Sequence, residues 1–315
     1  MAILLRQRCA RSVPHLCTMS LSGKHVDDHM YDTPLLSSIQ LKNDHKGLVA
    51  SVVLPGLDFG SINKRTKFMS LFSMSNNFEL ARMQSMQAAN FIEIGKMLKE
   101  NNLLQFLIAG QYYFSPGFFI PFPRNIEQPV LYQHRVHHLG KSSYSLSGLC
   151  KLPNSDESIA EIVCSVVTVD KYTRKSSPLP DWFRTRFHDN TKVPHPTTLN
   201  PLKSIPAEAF CHDLTVRPSD TDENGHTNQA VYIKYCSNTK YLAATSNLLP
   251  PNYIDNDHKV KVIDTLYTRE SSTGDKLKCY VWQGKPMVLH FQVHKDSEPI
   301  FHANMEFDGT VTSNL

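Results

Sequence analysis

The chain has 315 residues, 41% hydrophobic and 20% charged, with a formal net charge of +4. That composition supports a buried core, and the length suits one large domain or two of ordinary size. No Lys/Arg run interleaves with aromatics, and no apolar run approaches the roughly 20 residues of a membrane-spanning helix, so nucleic-acid binding and a membrane span are not expected. The seven cysteines form no CxxC pair, which disfavours a disulfide framework or zinc ribbon and fits a reducing compartment.

Residues 1–26 hold Arg6, Arg8, Arg11 and Lys24 and no Asp or Glu. Such a composition suits a mitochondrial transit segment or a basic tail in the cytoplasm. The C-terminal Ser-Asn-Leu is one residue from the peroxisomal Ser-Lys-Leu address, which makes that compartment the weaker alternative.

From residue 47 the elements follow in order. A strand is expected at 47–55 and a long helix over 76–102, with Leu80, Met83, Phe91, Ile94 and Leu98 on one face and Ala81 and Ala88 beside it. Four strand candidates follow, at 107–114, 128–140, 143–152 and 158–170. On a regular strand His134 and His138 would share a face and His137 would point away, so three convergent metal ligands are not expected. Six prolines between Pro178 and Pro206 mark a linker.

The second half repeats the order. A strand at 209–218 leads into the loop "SDTDENGHTN" and then a helix over 228–246, capped by Asn228. Its apolar face would carry Tyr232, Tyr235, Cys236, Leu242 and Ala243, with Lys234 and Lys240 turned away. Four strand candidates complete it, at 259–270, 276–282, 286–294 and 299–307. A lone amphipathic helix followed by an antiparallel meander must bury itself against one sheet face. The expected class is therefore α+β: a tandem, or double, hot-dog, each half a long helix wrapped by a curved antiparallel sheet, the sheets joined edge to edge. The expected boundaries are an N-terminal extension at 1–46, a first hot-dog at 47–185, a linker at 186–206 and a second hot-dog at 207–315.

The stretch "RPSDTDENGHTNQAVYIKY" and the later "YTRES" resemble motifs of the hot-dog thioesterases, including 4-hydroxybenzoyl-CoA thioesterases and the double hot-dog acyl-ACP thioesterases. Asp220, Asp222, Asn224, His226 and Asn228 match the family's Asp-x-Asp-x-Asn-x-His-x-Asn-Asn, while Gln229 departs from its last Asn. Tyr267, Arg269 and Glu270 match Tyr-x-Arg-Glu-Cys, with Ser271 in place of the cysteine. The resemblance implies hydrolysis of a fatty acyl thioester, carried by coenzyme A or acyl carrier protein, without cofactor or metal. It implies Asp222 as nucleophile or base, Asn224 as hydrogen-bond donor, His226 as proton carrier and Glu270 as the residue polarising water. Gly225 would let backbone approach the thioester, and Asn228 would sit at the oxyanion end of the helix. Asp220 reads as structural. A homodimer is one assembly open to this architecture.

The corresponding loop of the first half, "LPGLDFGSINKR", offers Asp58, Gly60 and Asn63 but has Ser61 where a histidine would stand. The first half is thus expected to lack a site and to line the acyl channel, with Met83 and Met86 in its wall. Two alternatives stand beside this reading. A hot-dog enoyl-thioester hydratase or dehydratase would carry Asp-x-Asn-Pro-x-His, and this loop has no proline and a shorter Asp-to-His spacing. A non-catalytic acyl-binding module would not need the acidic and imidazole groups that are present.

Overall fold

The computed structural model describes residues 39–44, 47–54, 67–115, 129–152, 157–222 and 224–309. In the first half, β1 (Ile39–Asp44) and β2 (Gly47–Leu54) precede α1 (Leu71–Gln87). There follow β3 (Leu103–Phe114), β4 (Val130–Leu139), β5 (Ser143–Lys151) and β6 (Ser158–Asp170). A short helix α2 (Asp181–Arg186) opens the proline-rich connection. The second half holds β7 (Phe210–Thr215), α3 (Gln229–Thr245), β8 (Val260–Tyr267), β9 (Lys276–Gln283), β10 (Val288–Lys295) and β11 (Glu298–Phe307).

All the strands join one curved sheet in the order β1-β2-β4-β5-β6-β3-β8-β11-β10-β9-β7. From β2 the order runs first strand, third, fourth, fifth, second; the second half runs the same way in reverse. The two runs meet at β3 and β8, which pair antiparallel from Ala109↔Leu266 to Tyr113↔Val262. At that seam Thr265 Oγ1 donates to the Gly110 carbonyl at 3.0 Å, and Gln111 Nε2 donates to Asp264 Oδ1 at 2.9 Å. A Cβ on Gly110 would lie 3.0 Å from Thr265 Oγ1, so glycine makes room for this contact.

Both long helices pack on the same side of the sheet and against each other. One continuous apolar core takes in Val52, Phe78, Tyr112, Tyr132 and Ile162 of the first half and Tyr232, Cys236, Phe291, Phe301 and Met305 of the second. A second cluster, with Met86, Phe91, Ile92, Met97 and Phe183, belongs to the first half. On the opposite sheet face the connection crosses from one half to the other. Asn190 Nδ2 donates to the Val136 carbonyl and Gln292 Nε2 to the Leu202 carbonyl.

Several expectations from sequence are corrected. Strand β1 lies upstream of residue 47 and pairs with β2. Helix α1 starts at Leu71, where Ser70 Oγ accepts from Ser73 N, and ends at Gln87 rather than 102. Asn90 and Glu93 take left-handed φ values of 51° and 50°, which break the helix before a single π-helical turn at Lys96–Glu100. The buried face of α1 is Leu71, Met74, Ser75, Phe78, Ala81 and Ser85, whereas Leu80 is 47% exposed and Ala88 is exposed. In α3, Lys240 is 1% exposed rather than turned outward. A register shift between Val136 and His138 puts His134 in the core and sends His138 to the linker side, bonded to the Val193 carbonyl.

Among the described residues no helix is long and apolar enough to cross a membrane. The basic N-terminus, the C-terminal tripeptide and Asp58, Gly60, Ser61 and Asn63 lie outside the described residues.

Candidate active site

The loop between β7 and α3 is fixed from below by Asp220. Its carboxylate is 3% exposed and accepts from Lys234 Nζ at 2.5 Å, Tyr235 Oη at 2.9 Å and Arg217 N at 3.0 Å. Burial alone would raise its pKa, but these donors outweigh it and hold the carboxyl below its ordinary value.

Above this anchor the chain closes a tight turn. Asp222 N donates to the His226 carbonyl at 2.9 Å, and Gly225 N to the Asp222 carbonyl at 3.0 Å. One carboxylate oxygen of Asp222, Oδ1, accepts from Asn224 N at 2.9 Å and His226 N at 3.3 Å. Asp222 thus shapes the turn with one oxygen, Oδ1. Gly225 has φ +77° with open space beside it, so glycine is needed here for the left-handed backbone.

The segment after β8 meets this turn edge to edge. Thr227 N donates to the Ser271 carbonyl at 2.7 Å, and His226 pairs with Ser272. Ser271 is 1% exposed and its Oγ lies 2.6 Å from Thr227 Oγ1 and 2.8 Å from Tyr232 Oη. The serine standing in the cysteine position is therefore a clamp between strand, loop and helix. The clamp delivers Glu270: its Oε2 is 3.3 Å from His226 Nε2, both side chains being about 40% exposed. Two motifs more than 40 residues apart converge on one contact.

Asn228 caps α3, with Oδ1 accepting from Ala230 N at 2.8 Å, while Val231 N donates to the Asn228 carbonyl. Those two amides are committed, so the helix start offers fewer free donors than its position suggests. The Asn224 side chain, in the loop before it, is exposed.

A carboxylate that sequence reasoning passed over approaches from the first half. Glu79, on α1, forms a 3.6 Å ion pair with Arg82. Burial pushes its carboxyl above the ordinary range against the pull of Arg82 and the Asn228 side chain; the charge of Asp222 adds to the rise, and Gln229 opposes it. Glu79 therefore reaches the start of α3 across the interface between halves. The charged pair at i,i+3 on a mostly buried helix face was the signal for it. Of the expected channel residues, Met86 is buried in the first half's own cluster and Met83 is half-buried on α1; neither is drawn into the loop constellation.

Residues 203–308 match the family model described as acyl-ACP thioesterase C-terminal domain. The fold is similar to that of an acyl-ACP thioesterase from Bacteroides thetaiotaomicron, with 16% identity, 82% of this chain and 98% of that chain covered, and a TM-score of 0.61. It is similar also to the 12:0-ACP thioesterase from Umbellularia californica, with 14% identity, 82% and 97% covered, and a TM-score of 0.62. None of the curated proteins matches the sequence.

Proposed function

We infer that this chain, which resembles the hot-dog thioesterases and matches the acyl-ACP thioesterase C-terminal domain over residues 203–308, hydrolyses acyl thioesters. The observation that carries the reading is the 3.3 Å contact of His226 with Glu270 at the mouth of α3. It joins the two motifs on which the resemblance rests.

The proposed architecture is a tandem hot-dog, with a first unit at 47–185 extended at its edge by β1, a linker at 186–206 and a second unit at 207–315. In the proposed chemistry, Asp222 takes a proton from water as the water oxygen attacks the thioester carbonyl carbon. Asn224 and Gln229 N–H meet the negative charge that develops on the carbonyl oxygen, a contribution worth roughly 10²–10³ in rate per donor. The C–S bond then breaks, and the leaving thiolate takes a proton from His226, which Glu270 orients and stabilises when charged. Acyl carrier protein is the favoured thiol carrier, with coenzyme A as the alternative. The first half, with Met83 and Met86, contributes to the acyl channel, and the chain works without cofactor.

The test is free-thiol release from acyl-ACP and acyl-CoA of graded chain length by the full chain. Release that falls by about 10² or more in Asp222→Asn is expected. Hydration of enoyl-CoA without thiol release would favour the hydratase reading instead, and binding without turnover of either would favour an acyl-binding module.

A further inference from the structure

Beneath the start of α3, between α1 and the first half's sheet, lies a cavity of about 10 Å³, room for one water or one hydroxyl. Its walls include Phe78, Leu146 and Ile162, but four polar side chains also line it: Glu79, Arg82, His134 and Gln229. Of these four residues, Glu79 Oε2, Arg82 Nε, His134 Nε2 and Gln229 Oε1 are buried without a hydrogen-bond partner among the described residues. Buried polar groups are ordinarily satisfied, so four such atoms around one space call for a ligand.

The protonation pattern says which ligand. His134 is 2% exposed, and burial with the neighbouring Arg82 charge lowers its pKa to about 3, so the ring is neutral. Ser85 Oγ donates its single proton to the Ala81 carbonyl at 2.9 Å. Its 3.1 Å contact with His134 Nδ1 must then be a bond donated by Nδ1–H. That fixes the tautomer and leaves Nε2 as a bare acceptor. Arg82 Nε is a donor in any state. The ring's place is also built in: a Cβ on Gly148 would lie 3.1 Å from His134 Cδ2 and 3.2 Å from Nε2.

A group filling this space must accept a hydrogen bond from Arg82 Nε and donate one to an acceptor, His134 Nε2 or Gln229 Oε1. A hydroxyl does both. A keto oxygen accepts only and leaves His134 Nε2 bare; an ammonium donates only; a methylene does neither. We propose that this cavity receives a hydroxyl carried on the acyl chain, so that the substrate is a hydroxyacyl thioester rather than a plain fatty acyl one. The inference rests on the thioesterase reading and names its substrate class. Gln229, where the sequence leaves the family motif, is the residue that joins cavity to loop.

The test is thiol release by the full chain from acyl-CoA thioesters of one length, hydroxylated at successive carbons from C3, beside the unsubstituted and 3-oxo parents. One hydroxylated isomer should exceed the unsubstituted parent by about tenfold or more in kcat/KM, chiefly through KM, because the parent leaves polar groups unpaired or strands a water. The oxo compound should not share the gain. His134→Leu should bring the ratio towards one; if that variant does not fold, Gly148→Ala, which crowds the ring, serves. No hydroxylated isomer ahead of its parent, or a preference that survives both His134→Leu and Arg82→Met, overturns the proposal. Absence of thiol release from every thioester would overturn the hydrolase reading instead. Calorimetric binding of the free hydroxy acid and the plain acid then decides the pocket, equal affinities overturning it.

Discussion

Twelve residues past its N-cap, each long helix carries a largely covered cation: Arg82 in α1, 15% exposed, and Lys240 in α3, 1% exposed. Lys240 meets Asn256 Oδ1 at 2.8 Å and Asp257 Oδ1 at 2.6 Å. Arg82 pairs with Glu79 at 3.6 Å, and its Nε has no hydrogen-bond partner among the described residues. Nine residues past each cap the helices carry Glu79 and Ser237. The second half encloses its cation with partners of its own, although Ser237 Oγ and Thr239 Oγ1 on the same helix are buried without a hydrogen-bond partner among the described residues. Around Arg82 the first half leaves Glu79 Oε2, Arg82 Nε and His134 Nε2 buried without a hydrogen-bond partner among the described residues. The contrast is therefore local: the cation of α3 is enclosed and that of α1 is not.

The largest test of that contrast is Asp222→Asn, for which kcat should fall by at least about 10²-fold, measured by single-turnover thiol release. A folded variant with near-normal turnover would move the chemistry out of the second half's loop. Next comes the pair of covered cations. Lys240→Met should cost about 3 kcal/mol in denaturant unfolding, since it strands Asp257 and Asn256. Arg82→Met should cost less, about 1–2 kcal/mol, because Glu79 already holds a raised pKa and can take a proton. Equal losses would erase the distinction between an enclosed cation and one that is not.

Asp220 supplies a smaller effect with a definite sign. Its folded pKa lies below the ordinary value, so the unfolded chain binds more protons in acid. The stabilisation is complete above the usual carboxylate range, near pH 4, and drains away as pH falls below it. Asp220→Asn should lose about 2 kcal/mol at neutral pH and show a shallower decline of stability between about pH 4 and 2. An unchanged acid limb would mean that other carboxylates set it. The smallest effect belongs to Met83→Trp. If Met83 lines the acyl channel, the variant should disfavour each added methylene about fourfold in kcat/KM, the equivalent of about 0.8 kcal/mol. A uniform loss at every chain length would restrict Met83 to packing.

The order of elements was legible because strand and helix periods differ and the two halves repeat that order. The meeting of His226 and Glu270 was legible only through the resemblance of two motifs, since no local pattern links residues so far apart. The face of α1 was misread for a chemical reason. Ser75 and Ser85 are fully buried and bonded to Tyr112 Oη and the Ala81 carbonyl, so the buried stripe did not look apolar, while exposed Leu80 did. Lys240 was hidden likewise, its partners lying in a loop beyond the helix. The bulge at His137 defeated simple alternation along β4. Glu79 was invisible because its importance arises from contact with the other half.

The seam between β3 and β8 has a consequence in time. Gly110 and Thr265, joined there, stand 155 positions apart. At synthesis rates of about 5–20 residues per second, the β3 edge waits on the order of ten to thirty seconds for its partner. During that interval the unpaired edge is open to any other strand. Ribosome-bound chains halted before Val260 should therefore recruit holding chaperones more strongly than chains released after Phe307.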